Sequence, residues 1–581
     1  YAETEFEGPP READQYHRNH PKFLELAEDY IKHVSKVIKP HLVTNGGRII
    51  FCQLDNECSM IKKQNQVLGL PLEDPSSFKA FIKQEYGDWE EAARIYGLEE
   101  EWECWDDVGP MPAAPLNEKE FLLYIDTARY LEWYDALFFK RIADMYEKNG
   151  INVPFYINST GPPFPHDPAL LDEFVALRTA DIYYLKKEKL INMLTLNAKL
   201  LKATAPAVVA GEFRCGTFSG HEMRANLYKY QALLWMAYGY HGVNYFMIVE
   251  RHRWPNTPID AVGRPFIANK MFKQIIGAYN KIDYPRFTQH SVADINLLWY
   301  RPHAFANKAA PLEPGFDMKD DYNNNLVYKS LIRANIPFDL WYPNSQFSSI
   351  NSHPYLIYAG HDFIEEQIAD AMLDYAKSGG TIIFLYNYPK KTITGKELSV
   401  FGDLLLKPTG GFRCSRNYGI NFGYRTINVS TKMFLDYKIP GDNSDFQVFK
   451  FKHMNVGYIR NVEKGRLVML GFDLTPVNLE PVLSILGWKP ALTSSSNILS
   501  TLYHIPESDE LLLTMVNPGD EPINAYTSLN KNKLGIADLS LAQDYSCESL
   551  LDNEKIESID AKRIRTTLKP QDGKLLYFKK L

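Results

Sequence analysis

The chain has 581 residues, a formal net charge of −7 and a sequence pI near 6.1. This length exceeds what one hydrophobic core usually organises, so we expect several domains. The absence of a basic block argues against a nucleic-acid partner, and the absence of an apolar run of about 18 residues argues against a membrane partner.

Cysteine usage bears on metals and compartment. The six cysteines are scattered and form no C-x-x-C pair, which argues against a zinc site or a dense disulfide framework. We therefore predict no metal and no cofactor, and the cysteines favour a cytoplasmic location, although any export signal would lie upstream of Tyr1. The 36 Tyr, 32 Phe and 9 Trp fit large cores or a sugar pocket walled by rings.

The first half of the chain alternates helices with apolar strands. Helices are predicted at Pro21–Lys39 and around 117–148. Strands are predicted at 49–54, 152–160, 180–186, 205–216 and 242–254. Each strand ends in polar or charged side chains, a pattern typical of a parallel α/β protein such as a (β/α)8 barrel, whose active site lies at the carboxyl ends of the strands.

The second half contains two further units. Strands at 295–300, 355–360 and 381–387, with helices and a strand between them, predict a doubly wound domain. A strand-rich patch at 420–475 follows, and short strands from about 493 predict a small β domain. The predicted domains are 1–290, 291–490 and 491–581.

Two acidic residues at strand ends are candidates for catalysis. Glu57 follows "QLDN" and Glu212 lies in "VVAGEF". In a barrel the two could meet, and two carboxylates across a sugar form a hydrolase, with one acting as acid and one as nucleophile. Asn56 could hold a sugar 2-hydroxyl beside them. Taken singly, each acid could instead be a solvated rim residue or half of a salt bridge.

The other candidate substrate-binding residues also end strands: Asn158, Tyr183, Tyr184, Glu250 and Trp254. Either tyrosine could donate a phenol hydrogen bond to Glu212 and keep it ionised, and Trp254 could form the floor of a sugar site. Core packing is the alternative for the aromatic residues, and loop capping is the alternative for Asn158.

A family resemblance rests on these motifs. "NGGRIIFCQLDNE" resembles the fourth barrel strand of the retaining glycosidase clan, closest to β-galactosidases of glycoside hydrolase families 35 and 42. "GEF" at 211–213 resembles the seventh strand with its nucleophile, and the residues after 292 resemble the amidotransferase-like and small β domains of family 42. The resemblance implies that Glu57 is the acid/base and Glu212 the nucleophile.

The sequence departs from this pattern in two ways. Cys58 stands where the families usually have Tyr. Only one helix precedes the strand of Glu57, so we expect an incomplete TIM barrel whose first strands are missing, an N-terminally truncated chain, and a fragment that is inactive alone. The alternatives are that the first strands come from elsewhere or that the fold is not a closed barrel.

The second domain should be catalytically silent. A working glutaminase needs a nucleophilic Cys at a strand-to-helix turn, and no Cys follows "YLIYAG". We therefore expect this domain to serve packing or subunit contact in a homo-oligomer.

The predicted function is therefore that of a retaining exo-β-glycosidase acting on oligosaccharides or other β-glycosides, with β-galactosidase as first choice. Exo-β-glucosaminidase or another β-glycosidase of the clan is the alternative. A non-catalytic carbohydrate-binding or scaffold protein is the alternative of a different class.

Overall fold

The structure is a computed structural model. It describes the chain except at 1–16, 59–66, 112–114, 116–117, 161–165, 184–186, 217–224, 252–253, 256, 267, 307–325, 415–416, 442–444, 537–544, 553 and 556–562. Within the described part, none of the helices combines the length and apolar character needed to span a bilayer.

The first part of the chain forms an open, five-stranded parallel sheet in which the strands follow one another in chain order. The strands are β1 (Cys52–Gln53), β2 (Phe155–Thr160), β3 (Leu177–Ile182), β4 (Val209–Arg214) and β5 (Gly242–Phe246). The helices are α1 (Pro21–Ile38), α2 (Phe78–Tyr86), α3 (Trp89–Tyr96), α4 (Glu118–Lys148), α5 (Lys187–Thr204), α6 (Ala225–Ala237), α7 (Asn269–Lys281) and α8 (Tyr284–Thr288). Because all five strands run the same way, their carboxyl ends meet at one edge of the sheet.

Local sequence explains where these helices begin and end. At α1, the His20 side chain accepts a hydrogen bond from the Lys22 N–H, and Pro21 occupies the first turn, where its missing N–H costs nothing. At α3, Asp88 caps the start and Gly97 ends the helix with a φ of 68°. These signals fix the helices that flank the sheet.

The prediction of a buried strand at 49–54 is wrong in extent and burial. Only Cys52 and Gln53 form β1, and the side chains of Ile50 and Phe51 are 57% and 38% exposed. The reason is position, because β1 lies at the edge of the sheet and pairs only with β2 among the described strands. The Leu54 N–H extends this pairing by one hydrogen bond, to the carbonyl of Tyr156 at 3.0 Å.

The middle part of the chain is built on a nine-stranded sheet with the order β12-β11-β14-β15-β16-β9-β8-β6-β7, while β10 and β13 form a separate pair. The strands are β6 (Ile295–Leu298), β7 (Phe338–Trp341), β8 (Tyr355–Tyr358), β9 (Thr381–Leu385), β10 (Pro408–Arg413), β11 (Asn417–Phe422), β12 (Arg425–Ser430), β13 (Met433–Tyr437), β14 (Phe446–Phe451), β15 (Met454–Val462) and β16 (Gly465–Leu470). The helices are α9 (Arg301–Ala306), α10 (Leu326–Arg333), α11 (Glu366–Ser378) and α12 (Leu479–Ile485). The parallel run β7-β6-β8-β9-β16 has the flavodoxin-like strand order.

The described residues of the last part of the chain form an all-antiparallel β unit of two sheets with one short helix, α13 (Lys531–Leu534). Its strands are β17 (Leu492–Ser494), β18 (Leu499–Ile505), β19 (Glu510–Asn517), β20 (Ile523–Leu529), β21 (Tyr545–Ser549), β22 (Glu554–Lys555), β23 (Ile564–Leu568) and β24 (Asp572–Lys580). One buried apolar cluster joins all three parts and includes Phe213, Leu470 and Leu512. The structure thus confirms the predicted fold class: a partial barrel sheet, a doubly wound domain and a small β domain.

Candidate active site

Three acids converge at the carboxyl edge of the five-stranded sheet. Glu57 follows β1, Asp181 lies in β3 and Glu212 lies in β4. One carboxylate oxygen of each lies within 4.8 Å of one oxygen of each of the others. The structure therefore brings together the two acids that the sequence analysis selected, and it adds a third. We call Glu57, Asp181 and Glu212 the acid cluster.

A bulge in β4 aligns two members of the acid cluster. Ala180 pairs with Ala210, but the next residue, Asp181, pairs with Glu212, so Gly211 is an extra residue. A Cβ atom at position 211 would lie 2.1 Å from the Thr179 Oγ1. Glycine is thus required for β4 to approach β3 closely enough to place Glu212 opposite Asp181.

Asn158, at the end of β2, links the residues of the site. Its side chain is buried, and its Oδ1 accepts hydrogen bonds from the Glu57 backbone N–H at 2.9 Å and from the Gln53 side chain at 2.8 Å. Its Nδ2 donates to the Asp181 Oδ2 at 2.9 Å and to the Glu212 Oε1 at 3.3 Å. One amide group therefore positions the chain at Glu57 and contacts both other acids.

The backbone turns away from strand geometry at Asn56 and Glu57, which explains how neighbouring residues can both reach the pocket. Glu57 has a φ of 51°, a left-handed conformation that is uncommon for a non-glycine residue. The Asn56 Oδ1 accepts a hydrogen bond from the Asn158 Nδ2 at 3.1 Å. No hydrogen bond among the described residues uses the Asn56 Nδ2, so this exposed amide can donate to a ligand.

Tyr183 contacts Glu212 directly, because its hydroxyl donates a short hydrogen bond to the Glu212 Oε2. Burial and then this hydrogen bond raise the pKa of Tyr183, so the phenol remains a proton donor at neutral pH. A donor of this kind stabilises the ionised form of a carboxylate. Tyr184, the other tyrosine predicted here, lies outside the described residues.

Trp254 packs against Tyr183. Its side chain is only 6% exposed, and its ring centroid is 6.4 Å from that of Tyr183 and 5.5 Å from that of Phe246, both in edge-on geometry. Its Nε1 donates a hydrogen bond to the Cys215 carbonyl. Little of the ring is accessible to a sugar in this structure. The observed contacts of Trp254 instead support the ring of Tyr183.

Glu250 is not brought into the acid cluster. Its backbone N–H donates to the Ile259 carbonyl at 2.8 Å. Within the described residues, no hydrogen bond or ion pair joins its side chain to the other candidate residues. Cys58 also points away, since it is 1% exposed and its Sγ lies 3.8 Å from the Asp135 Oδ1.

Asp181 was missed by the sequence analysis, although the sequence carried a signal for it. In "ADIYY" it precedes Tyr183 by two residues, and this spacing places both side chains on one face of a strand. Burial, followed by the charges of Glu212 and Glu57, raises the pKa of Asp181 to about 9. The three oxygens could also ligate a divalent cation, since hard cations prefer carboxylate ligands.

Replacing Tyr183 with Phe should lower kcat/KM for a glycoside substrate by about 10- to 100-fold, the range for a lost hydrogen bond to a charged group. Initial rates with an aryl β-galactoside measure the loss. Unchanged activity in Tyr183→Phe would show that this hydrogen bond has no part in the reaction.

Family models match two stretches of the chain. The model described as glycosyl hydrolases family 35 matches residues 10–94, which include Glu57. The model described as GLMA-like, second domain, matches residues 313–442 in the doubly wound part. The first match falls on the segment that carries the predicted acid/base.

Several solved structures with a similar fold are β-galactosidases. The enzyme from Bacillus circulans sp. alkalophilus has a TM-score of 0.73 at 12% identity, over 97% of this chain and 83% of that one. The enzyme from the haloarchaeon Halorubrum lacusprofundi has a TM-score of 0.72 at 14% identity, over 99% and 85%. A catalytic mutant of a GH42 β-galactosidase from G. stearothermophilus gives 0.71 at 11% identity, over 97% and 82%.

The family 35 match over residues 10–94 and the shared fold agree with the predicted resemblance to β-galactosidase-like glycoside hydrolases of the TIM-barrel clan. The particular resemblance in fold is to the family 42 β-galactosidases.

Proposed function

We propose that the protein is a retaining exo-β-glycosidase and that its preferred substrates are β-galactosides. The observation that carries the proposal is the approach of Glu57 and Glu212, whose nearest oxygens lie within 4.8 Å. Retaining glycosidases hold their two carboxyl groups about 5–5.5 Å apart, whereas inverting enzymes leave about 6.5–9.5 Å for a water molecule. The pair therefore fits double displacement.

In this mechanism Glu212 attacks the anomeric carbon while Glu57 protonates the departing glycosidic oxygen. The glycosidic C–O bond breaks, and a sugar ester of Glu212 forms. Glu57, now a carboxylate, then takes a proton from water, whose oxygen bonds to the anomeric carbon as the ester bond breaks. Tyr183 donates a hydrogen bond to Glu212 and orients it, and the amide hydrogens of Asn56, which no described residue accepts, bind the 2-hydroxyl.

The stereochemistry of the first product tests the proposal. The purified protein would be mixed with an aryl β-galactoside in an NMR tube, and the two anomers of the product would be followed before mutarotation. We expect the β-anomer first, at a rate that a chelator does not change. The α-anomer first would establish inversion, and loss of activity on chelation would assign the acid cluster to a metal.

Exo-β-glucosaminidase is a second candidate, favoured by one specific observation. The acid cluster holds three carboxyl groups, and an ionised cluster would attract the 2-ammonium group of a glucosaminide. Neutral Asn56, in contrast, suits a 2-hydroxyl. Comparing kcat/KM for aryl β-galactoside and aryl β-glucosaminide decides between them, and the galactoside should be preferred if Asn56 dominates recognition.

We also propose that the protein forms a homo-oligomer through its second domain. The nine-stranded sheet ends at β12, which pairs only with β11 among the described strands, and Tyr424 at the adjoining turn is fully exposed. An exposed sheet edge is a common site of subunit contact. Light scattering after gel filtration measures the mass, and Tyr424→Lys should weaken the assembly.

A further inference from the structure

Gln53 and Tyr156 are neighbours on the two strands that lead to Asn158 and the acid cluster. Gln53, the last residue of β1, pairs in register with Tyr156 of β2. Residues two positions apart on a strand point to the same face, so Tyr156 and Asn158 share one face of β2. The strands therefore bring three polar side chains together beside the site, and the mechanism described above uses neither Gln53 nor Tyr156.

Hydrogen bonds connect these three side chains, and all of them point toward the acids. The Tyr156 hydroxyl donates to the Gln53 Oε1 at 2.9 Å. The Gln53 Nε2 donates to the Asn158 Oδ1 at 2.8 Å. The Asn158 Nδ2 donates in turn to the Asp181 Oδ2 at 2.9 Å and to the Glu212 Oε1 at 3.3 Å. We call Tyr156, Gln53 and Asn158 the donor chain. Because both amides accept on oxygen and donate from nitrogen, the successive bonds polarise one another in the direction of the acids.

The neighbours of the Asn158 amide determine which way it faces, because its oxygen and nitrogen are similar in size but opposite in hydrogen bonding. In the observed orientation the Oδ1 meets two donors, the Gln53 Nε2 and the backbone N–H of Glu57. In the reverse orientation this oxygen would face the carboxylates of Asp181 and Glu212, and the nitrogen would face the two donors. Gln53 thus helps to keep the N–H groups of Asn158 on the acids.

Gln53 is itself oriented from both ends of its amide. Its Nε2 also donates to the backbone carbonyl of Asp55 at 3.1 Å, while its Oε1 accepts from Tyr156. A reversed Gln53 would place its oxygen against the oxygens of Asp55 and Asn158, which is unfavourable. Within the described residues, the hydrogen bond of the Tyr156 hydroxyl ends on Gln53, so this hydroxyl reaches the site through Gln53.

We propose that Gln53 and Tyr156 are positioning residues for the reaction, because the donor chain holds the Asn158 amide with its N–H groups on the acid cluster. The inference rests on the proposed function, since its consequence concerns Glu212. This carboxylate attacks the anomeric carbon and is released again when the ester is hydrolysed. The hydrogen bond from Asn158 orients the carboxylate for attack and stabilises the charge that returns to it on release.

A double-mutant cycle tests whether Tyr156 acts through Gln53. Tyr156→Phe should lower kcat for an aryl β-galactoside by about 3- to 10-fold and Gln53→Met by about 10-fold or more. KM should stay within about 2-fold of wild type for Tyr156→Phe, because the donor chain ends on the acids and not on the sugar. The double variant should be no slower than Gln53→Met, since the hydroxyl has then lost its acceptor. Losses that multiply in the double variant, or a raised KM with unchanged kcat, would overturn the proposal.

Hydrogen exchange of the Asn158 side-chain amide tests the donor chain without turnover. In protein containing isotope-labelled asparagine, its NMR signal is identified by its absence in Asn158→Asp. Exchange should be about 3- to 10-fold faster in Tyr156→Phe and in Gln53→Met than in wild type, because each change removes a hydrogen bond that holds the amide. Tyr355→Phe is the matched control. It removes a tyrosine hydrogen bond in the doubly wound domain, to the Leu486 carbonyl at 3.2 Å, and should change neither the exchange nor kcat.

The exchange rates and the kinetics separate the inference from the proposed function. Unchanged exchange in Gln53→Met contradicts the inference even if glycosides are hydrolysed. If exchange rises as expected but the wild-type protein hydrolyses no glycoside, the proposed function fails while the orientation of Asn158 by the donor chain stands.

Discussion

Glu212→Gln and Glu57→Gln should each lower kcat for an aryl β-galactoside by about 10³-fold or more, the loss expected when a central catalytic group is removed. Gln has the shape of Glu but can neither attack the anomeric carbon nor exchange a proton. Steady-state rates of purified variants measure the loss. Glu91→Gln is the matched control, because Glu91 lies on α3, is exposed and pairs only with Arg94 among the described residues.

Added azide distinguishes the two roles. In Glu57→Ala, azide can attack the glycosyl–Glu212 ester without base catalysis, and the product should be the β-glycosyl azide. In Glu212→Ala, azide can take the place of the missing nucleophile, and a single inversion should give the α-glycosyl azide. The opposite pairing of products would exchange the roles of the two acids. Activity that stays near wild type in either Gln variant would remove that residue from the mechanism.

Asp339→Ala should lower the free energy of unfolding by about 3–5 kcal/mol, the cost of breaking a buried ion pair. Asp339 lies in β7, is 8% exposed and accepts from Lys199 at 3.1 Å, Lys202 at 2.6 Å and His353 at 3.0 Å. Burial raises the pKa of Asp339, but the two lysines outweigh burial and hold it well below its ordinary value. Burial lowers the pKa of Lys199, so removing its partner leaves an ammonium group that is costly to keep charged.

This ion-pair cluster joins α5 of the partial barrel to the doubly wound domain. Denaturant unfolding, monitored by hydrogen exchange of the β7 amides, therefore measures its contribution to the free energy of unfolding. The folded-state pKa of Asp339 is depressed, so its contribution is present above the ordinary value of 3.8 and declines as pH falls below it. Glu366→Gln is the control, because its pair with Lys396 is 50–65% exposed and should be worth less than about 1 kcal/mol. Equal losses in the two variants would contradict a special role for Asp339.

Periodicity and turn residues predicted a strand at each of the five positions of the sheet, but not the bounds of the strands. The strand predicted at 180–186 is Leu177–Ile182, and the strand predicted at 242–254 ends at Phe246. The same reasoning selected Glu57 and Glu212, which the structure brings together across two intervening strands. The extent of β1 could not be predicted in this way, since edge position leaves Ile50 and Phe51 exposed while their residue types suggest burial.

The register between neighbouring strands was the other feature that the sequence did not predict. The extra residue Gly211 shifts β4 by one position, and that shift determines that Asp181 faces Glu212. Composition and spacing within one strand do not reveal a shift between two strands. For Trp254 the sequence left two alternatives open, the floor of a sugar site and core packing. Its contacts with Tyr183 and Phe246 depend on the packing of three aromatic rings from separate segments.

Mechanism-based labelling tests most directly whether Glu212 is the nucleophile that forms the covalent intermediate. A 2-deoxy-2-fluoro-β-galactosyl fluoride slows both steps but leaves a good leaving group, so the covalent ester should accumulate. We expect peptide mass spectrometry to find the sugar on the peptide containing Glu212, and Glu212→Gln to prevent labelling. A sugar attached to Glu57, Asp181 or a residue outside the acid cluster would contradict the account.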